Sequence, residues 1–172
     1  MKRFLFTLTL IAAMAIGASA QKAQLQIGYD GYTMMDACDM HDGGPAVNTA
    51  WGAVTAGVNF KVAPKFSLGA SYTFSSTDRK HIESSNIYYH VIMLNARYDY
   101  WRNSVVQLYG HLGVGADISH ITYGDESKNK GYFACQVSPL GAEVGLSRSC
   151  AMFGELGFGA QGLVQVGFRL NL

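Results

Sequence analysis

Long hydrophobic runs are missing from this sequence, and charged residues are scarce. After residue 20, no stretch approaches the roughly 18 consecutive apolar residues of a membrane-spanning helix, which excludes a helical membrane protein. Charged residues make up 15% of the chain, whereas the surface of a soluble domain carries about 25–35%. The 13 basic and 12 acidic residues nearly cancel, and this balance argues against a nucleic-acid partner.

The residues that are present are sufficient for a packed core. Hydrophobic residues make up 49% of the chain and aromatic residues 12%, which excludes an intrinsically disordered protein. A length of 172 residues predicts one domain. Glycine is abundant, with 20 residues, while proline and cysteine occur only three times each. A glycine-rich, charge-poor chain without long apolar runs is therefore the composition to explain.

The first twenty residues have the organisation of a secretory signal peptide. Lys2 and Arg3 precede an apolar stretch over residues 4–16, and the segment ends in the small-residue pattern Ala18-Ser19-Ala20. We predict cleavage after residue 20 and a mature domain over residues 21–172. The alternative, a short N-terminal membrane anchor, is disfavoured because the apolar stretch is too short to span comfortably.

Export makes disulfide bonds possible. The three cysteines, Cys38, Cys135 and Cys150, cannot all pair within one chain. The predicted topology places Cys38 and Cys135 toward the same end of the domain, so a disulfide between them is left open.

Apolar and polar residues alternate at period two almost to the C-terminus, as expected of β-strands with two different faces. The alternation breaks only at Pro139, where a β-bulge would restore the facing. About ten residues is the length that a tilted strand needs to cross a membrane, and an even strand number is typical of outer-membrane barrels. The eight predicted strands cover residues 24–30, 51–62, 66–75, 88–100, 106–118, 133–144, 150–158 and 164–172.

The connections between the strands alternate between long and short. We predict long loops at residues 34–50, 76–86 and 119–131, and short turns at 63–65, 101–104 and 147–149. This asymmetry is typical of outer-membrane barrels, whose extracellular loops exceed their periplasmic turns. The last connection, at residues 160–162, is an exception because it is short.

Two all-β folds fit this pattern, and they differ in which face points outward. A soluble ligand-binding barrel turns its apolar face inward, whereas a membrane barrel turns it toward lipid. We favour an eight-stranded antiparallel up-and-down transmembrane β-barrel, because the more polar face is rich in the small residues that fit a narrow interior and because aromatic residues cluster at both strand ends as interfacial belts. The charges on the inward face are Asp30, Lys61, Arg97, Asp99, Asp117, Glu143, Glu155 and Arg169.

Two segments resemble a known family. Residues 154–169 (GELGFGAQGLVQVGFR) resemble the last hairpin of small eight-stranded outer-membrane β-barrel proteins of the Bacteroidetes type, and residues 136–141 (QVSPLG) are similar to their sixth strand. The resemblance implies an outer-membrane location and no catalytic residues. Many such chains end on an aromatic residue, whereas this sequence ends on Leu172.

Three groups of residues contain side chains that are typical of metal or catalytic sites. Each group also has a simpler interpretation. Residues 34–42 (MMDACDMHD) contain soft and hard metal ligands, yet no recognised metal spacing, so a solvated loop is preferred. A lipid A acyl hydrolase or transferase would need a Ser–His pair at the outer rim, and the candidates are Ser119 with His120, or His81 with Glu83, Ser84 and Ser85. His111, with Tyr109 and Asp117, is either a proton relay or part of an interior hydrogen-bond network, and we favour the network.

The sequence therefore predicts a non-enzymatic protein of the bacterial outer membrane. We expect a monomer with a lumen filled by side chains, with no catalytic, cofactor-binding or metal-binding residues. The expected partners are outer-membrane lipid, the barrel-assembly machinery, and an extracellular ligand or surface that the loops at 34–50, 76–86 and 119–131 contact.

Overall fold

Eight antiparallel strands close into one barrel. The computed structural model describes residues 23–34, 47–79, 85–123 and 126–172, so the predicted signal peptide lies outside the described residues. Neighbours in the chain pair in sequence, and β1 pairs with β8 from Gln24 opposite Asn171 to Asp30 opposite Gln165. The all-β, eight-stranded antiparallel up-and-down barrel is confirmed. The strands are β1 (Ala23–Asp30), β2 (Val47–Ala63), β3 (Phe66–Arg79), β4 (Ser85–Arg102), β5 (Val106–Tyr123), β6 (Glu126–Gly145), β7 (Cys150–Gly159) and β8 (Val164–Asn171).

The apolar side chains of the alternating pattern point outward. Leu94 and Leu112 are 68% and 56% exposed, whereas the neighbouring Met93 on the opposite face is only 1% exposed. A contiguous wall of exposed leucine, valine, isoleucine and phenylalanine is far larger than the apolar patches of soluble monomers. The predicted lipid-facing orientation is confirmed, and the soluble barrel with an apolar interior is wrong.

The irregularity at Pro139 is the predicted β-bulge. On β5, Tyr109 and His111 pair with Gly141 and Ser138, so that two residues of β6 stand opposite one residue of β5. The same shift occurs against β7. Because a strand alternates its faces at every residue, the extra residue returns Gly141 and Glu143 to the interior.

The strands are longer than the sequence indicated, and the loops are shorter. Strands β2 to β6 contain 17, 14, 18, 18 and 20 residues instead of about ten. The predicted loops at 76–86 and 119–131 are corrected: β3 continues to residue 79, β4 starts at 85, β5 continues to 123 and β6 starts at 126. These polar segments keep pairing outside the apolar band, because backbone hydrogen bonds do not require a hydrophobic face.

The short β7–β8 turn is folded into the barrel. Ala160 and Gln161 are buried, and Leu163 donates its backbone N–H to the Tyr32 carbonyl at 3.0 Å. Gly162 adopts a φ of 94°, a left-handed conformation that favours glycine. This connection therefore packs against the interior instead of forming a surface loop.

The interior is not polar throughout. Val91 and Met93 of β4 point inward and form a buried apolar cluster with Ala134 and Ala160. A second buried cluster consists of Ile87, Tyr89 and Ile121. The inward face of β4 thus corrects the expectation of a small, polar interior. Within the described residues, no helix is long and apolar enough to cross a membrane.

Candidate functional site

Most charged side chains of the interior gather in the half of the barrel next to the short turns at residues 64–65, 103–105 and 146–149. We call this end the short-turn end and the opposite end the loop end. The period-two alternation brings these side chains together, because each occupies an inward position of its strand. They form a charge network that consists of Lys61 on β2, Arg97 and Asp99 on β4, Glu143 on β6, Glu155 on β7 and Arg169 on β8, with His111 of β5 at its edge.

The network alternates in sign from one member to the next. Lys61 Nζ lies 3.3 Å from Asp99 Oδ2, and Arg97 Nε lies 2.8 Å from Asp99 Oδ1. Arg97 and Arg169 share Glu143 Oε2 at 2.7 and 2.9 Å. Arg169 then reaches Glu155 Oε1 at 2.8 Å. Three cations thus neutralise three carboxylates, as burial of ions requires.

Aromatic rings hold the two guanidinium groups in place. The Arg97 guanidinium lies 3.8 Å from the centroid of the Tyr109 ring, and the Arg169 guanidinium lies 4.0 Å from that of Phe153. Guanidinium groups stack favourably on aromatic faces. Each of the two arginines therefore stacks on an aromatic ring and is also ion-paired. Both contacts restrict the rotation of its side chain.

His111 extends the network toward the loop end. Its Nδ1 lies 2.9 Å from Glu155 Oε2, its Nε2 lies 3.1 Å from Asn95 Oδ1, and Tyr109 donates its hydroxyl to Glu155 Oε1 at 2.8 Å. The predicted inward facing of Tyr109, His111 and Asp117 is confirmed. Tyr109 shares Glu155 with His111, whereas Asp117 lies six positions along the strand, roughly 20 Å away, and does not belong to the same network.

A set of neutral side chains continues from the network to the buried β7–β8 turn. Asn95 and Gln161 both donate side-chain N–H groups to Ser71 Oγ at 2.7 Å. The Gln161 backbone N–H donates to Gln136 Oε1 at 2.9 Å. The sequence placed Asn95 and Ser71 on the inward face but gave no sign of these partners, since the partners depend on the register between strands.

Two further acids, Asp30 and Asp117, lie apart from the network. Asp30 accepts a hydrogen bond from Thr55, and Asp117 accepts one from Ser119 at 3.0 Å. Within the described part of the chain, neither has a cation partner. The expected pairing of inward charges therefore holds for the short-turn half and not for these two carboxylates.

The structure does not assemble the Ser119–His120 pair. Ser119 is buried in the interior against Asp117. His120 is on the outer face, with its Nδ1 2.6 Å from Asn129 Oδ1. Adjacent residues of a strand point to opposite faces, so these two side chains cannot act on one substrate atom. His81, Glu83 and Ser84 of the alternative group lie outside the described residues.

The candidate ligands of the first loop, residues 35–42, also lie outside the described residues. Among the residues that are described, no group of three or more His, Cys, Asp and Glu side chains could hold a metal ion. Cys135 and Cys150 are free thiols, while Cys38 falls in the undescribed part of the first loop.

Aromatic side chains form the two predicted outer belts. Near the short-turn end, Phe66, Tyr98 and Tyr100 are exposed on the wall, and Trp101 joins them. Near the loop end, Tyr72 and Phe74 contact His90, whose Nδ1 lies 2.7 Å from the Tyr72 hydroxyl. Such rings, apolar with a polar edge, prefer the boundary between hydrocarbon and water.

A closed eight-stranded wall with apolar residues outside, aromatic belts at both ends and ion pairs inside defines the class of outer-membrane β-barrel proteins. The family described as "Outer membrane protein beta-barrel domain" matches residues 8–160, and the chain belongs to this family. The protein is located in the outer membrane. No curated protein matches the chain.

Solved barrels share the fold at low sequence identity. The N-terminal β-barrel domain of Pseudomonas aeruginosa OprF is similar with a TM-score of 0.60 and 11% identity, over 88% of this chain and 97% of that one. Neisserial surface protein A gives a TM-score of 0.58 and 11% identity over the same shares. The Yersinia pestis outer membrane protein Ail gives 0.53 and 12%, over 88% and 99%.

Proposed function

We propose that this barrel is a non-enzymatic protein with a lumen filled by side chains, which serves a structural role or binds a partner at the cell surface. The observation that carries the proposal is the continuous run of polar contacts across the interior. It starts at Lys61, passes through the charge network and His111, and ends at Gln136 beside the buried turn. Eight strands enclose an interior that side chains can fill completely.

Surface interaction is the second part of the proposal. Strands β2 to β6 continue toward the loop end beyond β7 and β8, whose connection is folded inward. We propose that segments 34–50, 76–86 and 119–131 contact an extracellular ligand or surface. We propose that the protein is a monomer that is inserted by the barrel-assembly machinery, after removal of residues 1–20, and that it is of the Bacteroidetes type.

Conductance measurements in a planar bilayer test the filled lumen. We expect no large, stable conductance steps, because the ion pairs of Arg97 and Arg169 with Glu143 and Glu155 fill the interior of the barrel. A variant that truncates Arg97, Tyr109 and Arg169 to alanine provides the matched control with a widened interior, once its heat-dependent gel mobility shows a closed barrel. Large, stable steps from the wild-type protein would contradict the proposal.

Analysis of lipid A tests the absence of enzymatic activity. We expect the same acyl pattern in cells with and without the gene, since the structure separates Ser119 from His120. A change in acyl number that is restored by the wild-type gene would refute the non-enzymatic role. The same complementation with the Ser119→Ala variant then shows whether Ser119 takes part.

A further inference from the structure

Each of the three short turns has one basic residue within it or directly before it, and none contains an acidic residue. Lys65 lies between β2 and β3, Arg102 ends β4 immediately before the second turn, and Arg148 lies between β6 and β7. All three side chains are exposed. The three turns of this end therefore present a ring of cations at the mouth of the barrel.

The charge network does not neutralise this ring. Its carboxylates, Asp99, Glu143 and Glu155, already pair with Lys61, Arg97 and Arg169 inside the barrel. Within the described residues, Lys65, Arg102 and Arg148 have no acidic partner. Among the described residues, three exposed side-chain cations are therefore left unpaired with acids at the short-turn end.

Two of these cations line a cavity. A polar recess of about 450 Å³ opens at the short-turn mouth. Its charged lining consists of four cations, Lys61, Arg97, Arg102 and Arg148, and two carboxylates, Asp99 and Glu143, so cations are in excess. Amide side chains supply further hydrogen-bond donors, since Gln24, Asn59 and Gln107 line the same recess. This volume lies within the range of about 300–1,000 Å³ for small-molecule sites. Lys65 is at the rim and does not line the recess.

We propose that this recess binds a phosphate-bearing group, with Arg102 and Arg148 as its principal ligands. Guanidinium groups match the geometry of phosphate oxygens with two parallel N–H donors. Lys61 also lines the recess, but its charge is matched by Asp99 at 3.3 Å, so the uncompensated cations of the lining are Arg102 and Arg148. The proposal is independent of the role of the loops.

Two sources provide the same chemistry. The mouth lies beside the aromatic belt of Phe66, Tyr98, Tyr100 and Trp101, at the depth where phospholipid headgroups occur. An anionic phospholipid would therefore place its headgroup phosphate at the rim of the recess. A free phosphate compound would instead enter the recess from the aqueous side.

Calorimetric titration of the protein, purified in an uncharged detergent, separates these sources. The probes are inorganic pyrophosphate and phosphatidylglycerol, with phosphatidylcholine as the reference for a lipid of zero net charge. The test variant is the double substitution Arg102→Gln with Arg148→Gln. The matched control is Lys128→Gln, which removes an exposed cation near the loop end of β6. Heat-dependent gel mobility verifies that each variant is a closed barrel.

We expect the wild-type protein to bind at least one probe, with affinity that falls as salt rises. The double variant should bind on the order of 30-fold more weakly, from about 1 kcal/mol for each cation. Binding of pyrophosphate identifies a free phosphate compound as the ligand class, and binding of phosphatidylglycerol alone identifies the headgroup. Absence of binding to both probes, or equal weakening by Lys128→Gln, would overturn the site.

Discussion

Arg169 is the residue whose loss should most weaken the barrel interior. It is 2% exposed and contacts Glu143 and Glu155 at 2.9 and 2.8 Å. Removing one partner of a buried ion pair costs about 3–5 kcal/mol, because a charge is left uncompensated. Here Glu143 keeps Arg97 at 2.7 Å and Glu155 keeps His111 at 2.9 Å. We therefore expect Arg169→Met to lower the free energy of unfolding by about 3 kcal/mol, at the lower end of that range.

Urea titration of the protein in lipid vesicles provides the measurement. Tryptophan fluorescence from Trp51 and Trp101 and heat-dependent gel mobility report the closed barrel. Lys128→Met is the matched control, since it removes an exposed cation near the loop end of β6, and it should change stability by no more than about 0.5 kcal/mol. Equal effects of the two substitutions would refute the conclusion that the network stabilises the fold.

A double-mutant cycle tests the pairing itself. Combining Arg169→Met with Glu155→Gln should give a coupling energy of about 0.5–3 kcal/mol, as for residues in one hydrogen-bond network. Simple additivity of the two losses would show that the 2.8 Å contact does not contribute as a pair.

Three further substitutions test the facing, the packing and the buried turn. Leu112→Arg, on the lipid-facing wall, should destabilise the barrel by about 2–4 kcal/mol, and an unchanged yield of folded protein would contradict the outward facing. A Cβ on Gly115 would lie 1.9 Å from a backbone oxygen, whereas a Cβ on Gly154 would meet its nearest atom at 3.8 Å. Gly115→Ala should therefore lower the urea midpoint of unfolding. Gly154→Ala should leave that midpoint nearly unchanged. Gln161→Ala removes a bond to Ser71 and should cost about 1 kcal/mol in the same titration.

The period-two alternation was sufficient to predict the strand number and the facing. Each strand position is tied to one face, so apolar residues such as Leu94 and Leu112 could be placed outside without knowledge of the pairing. The bulge at Pro139 was predictable for the same reason, because the apolar positions change parity there. The alternation along single strands was therefore sufficient to predict most of the fold: the strand number, the outward face and the bulge.

The ends of the strands could not be read from hydrophobicity. Residues 76–79 and 119–123 remain strand although their outward positions are no longer uniformly apolar. Outside the hydrocarbon layer the wall faces water, so its outward side chains need not be apolar. The hydrogen-bonded pairing of the backbone continues there. The lengths of the predicted loops were consequently too large.

The partners within the charge network were also beyond single-strand reasoning. The sequence placed Arg97, Arg169, Glu143 and Glu155 inside, but which carboxylate meets which arginine depends on the stagger between strands that are distant in the chain. His111 shows the difference most clearly: its partners Glu155 and Asn95 come from β7 and β4. A same-strand neighbour such as Asp117 is too far away to contact it.

The charge network also specifies the register at the closing seam. A slip of β8 by one residue would turn Arg169 toward lipid, where an arginine is destabilising by an amount that grows with its depth in the bilayer. The same slip would leave Glu143 and Glu155 without one of their cations. A purely apolar interior would lack this second penalty, because apolar side chains tolerate many arrangements. The pairing of Arg169 with two strands therefore distinguishes the closed, in-register barrel from its nearest competitor more strongly than packing alone.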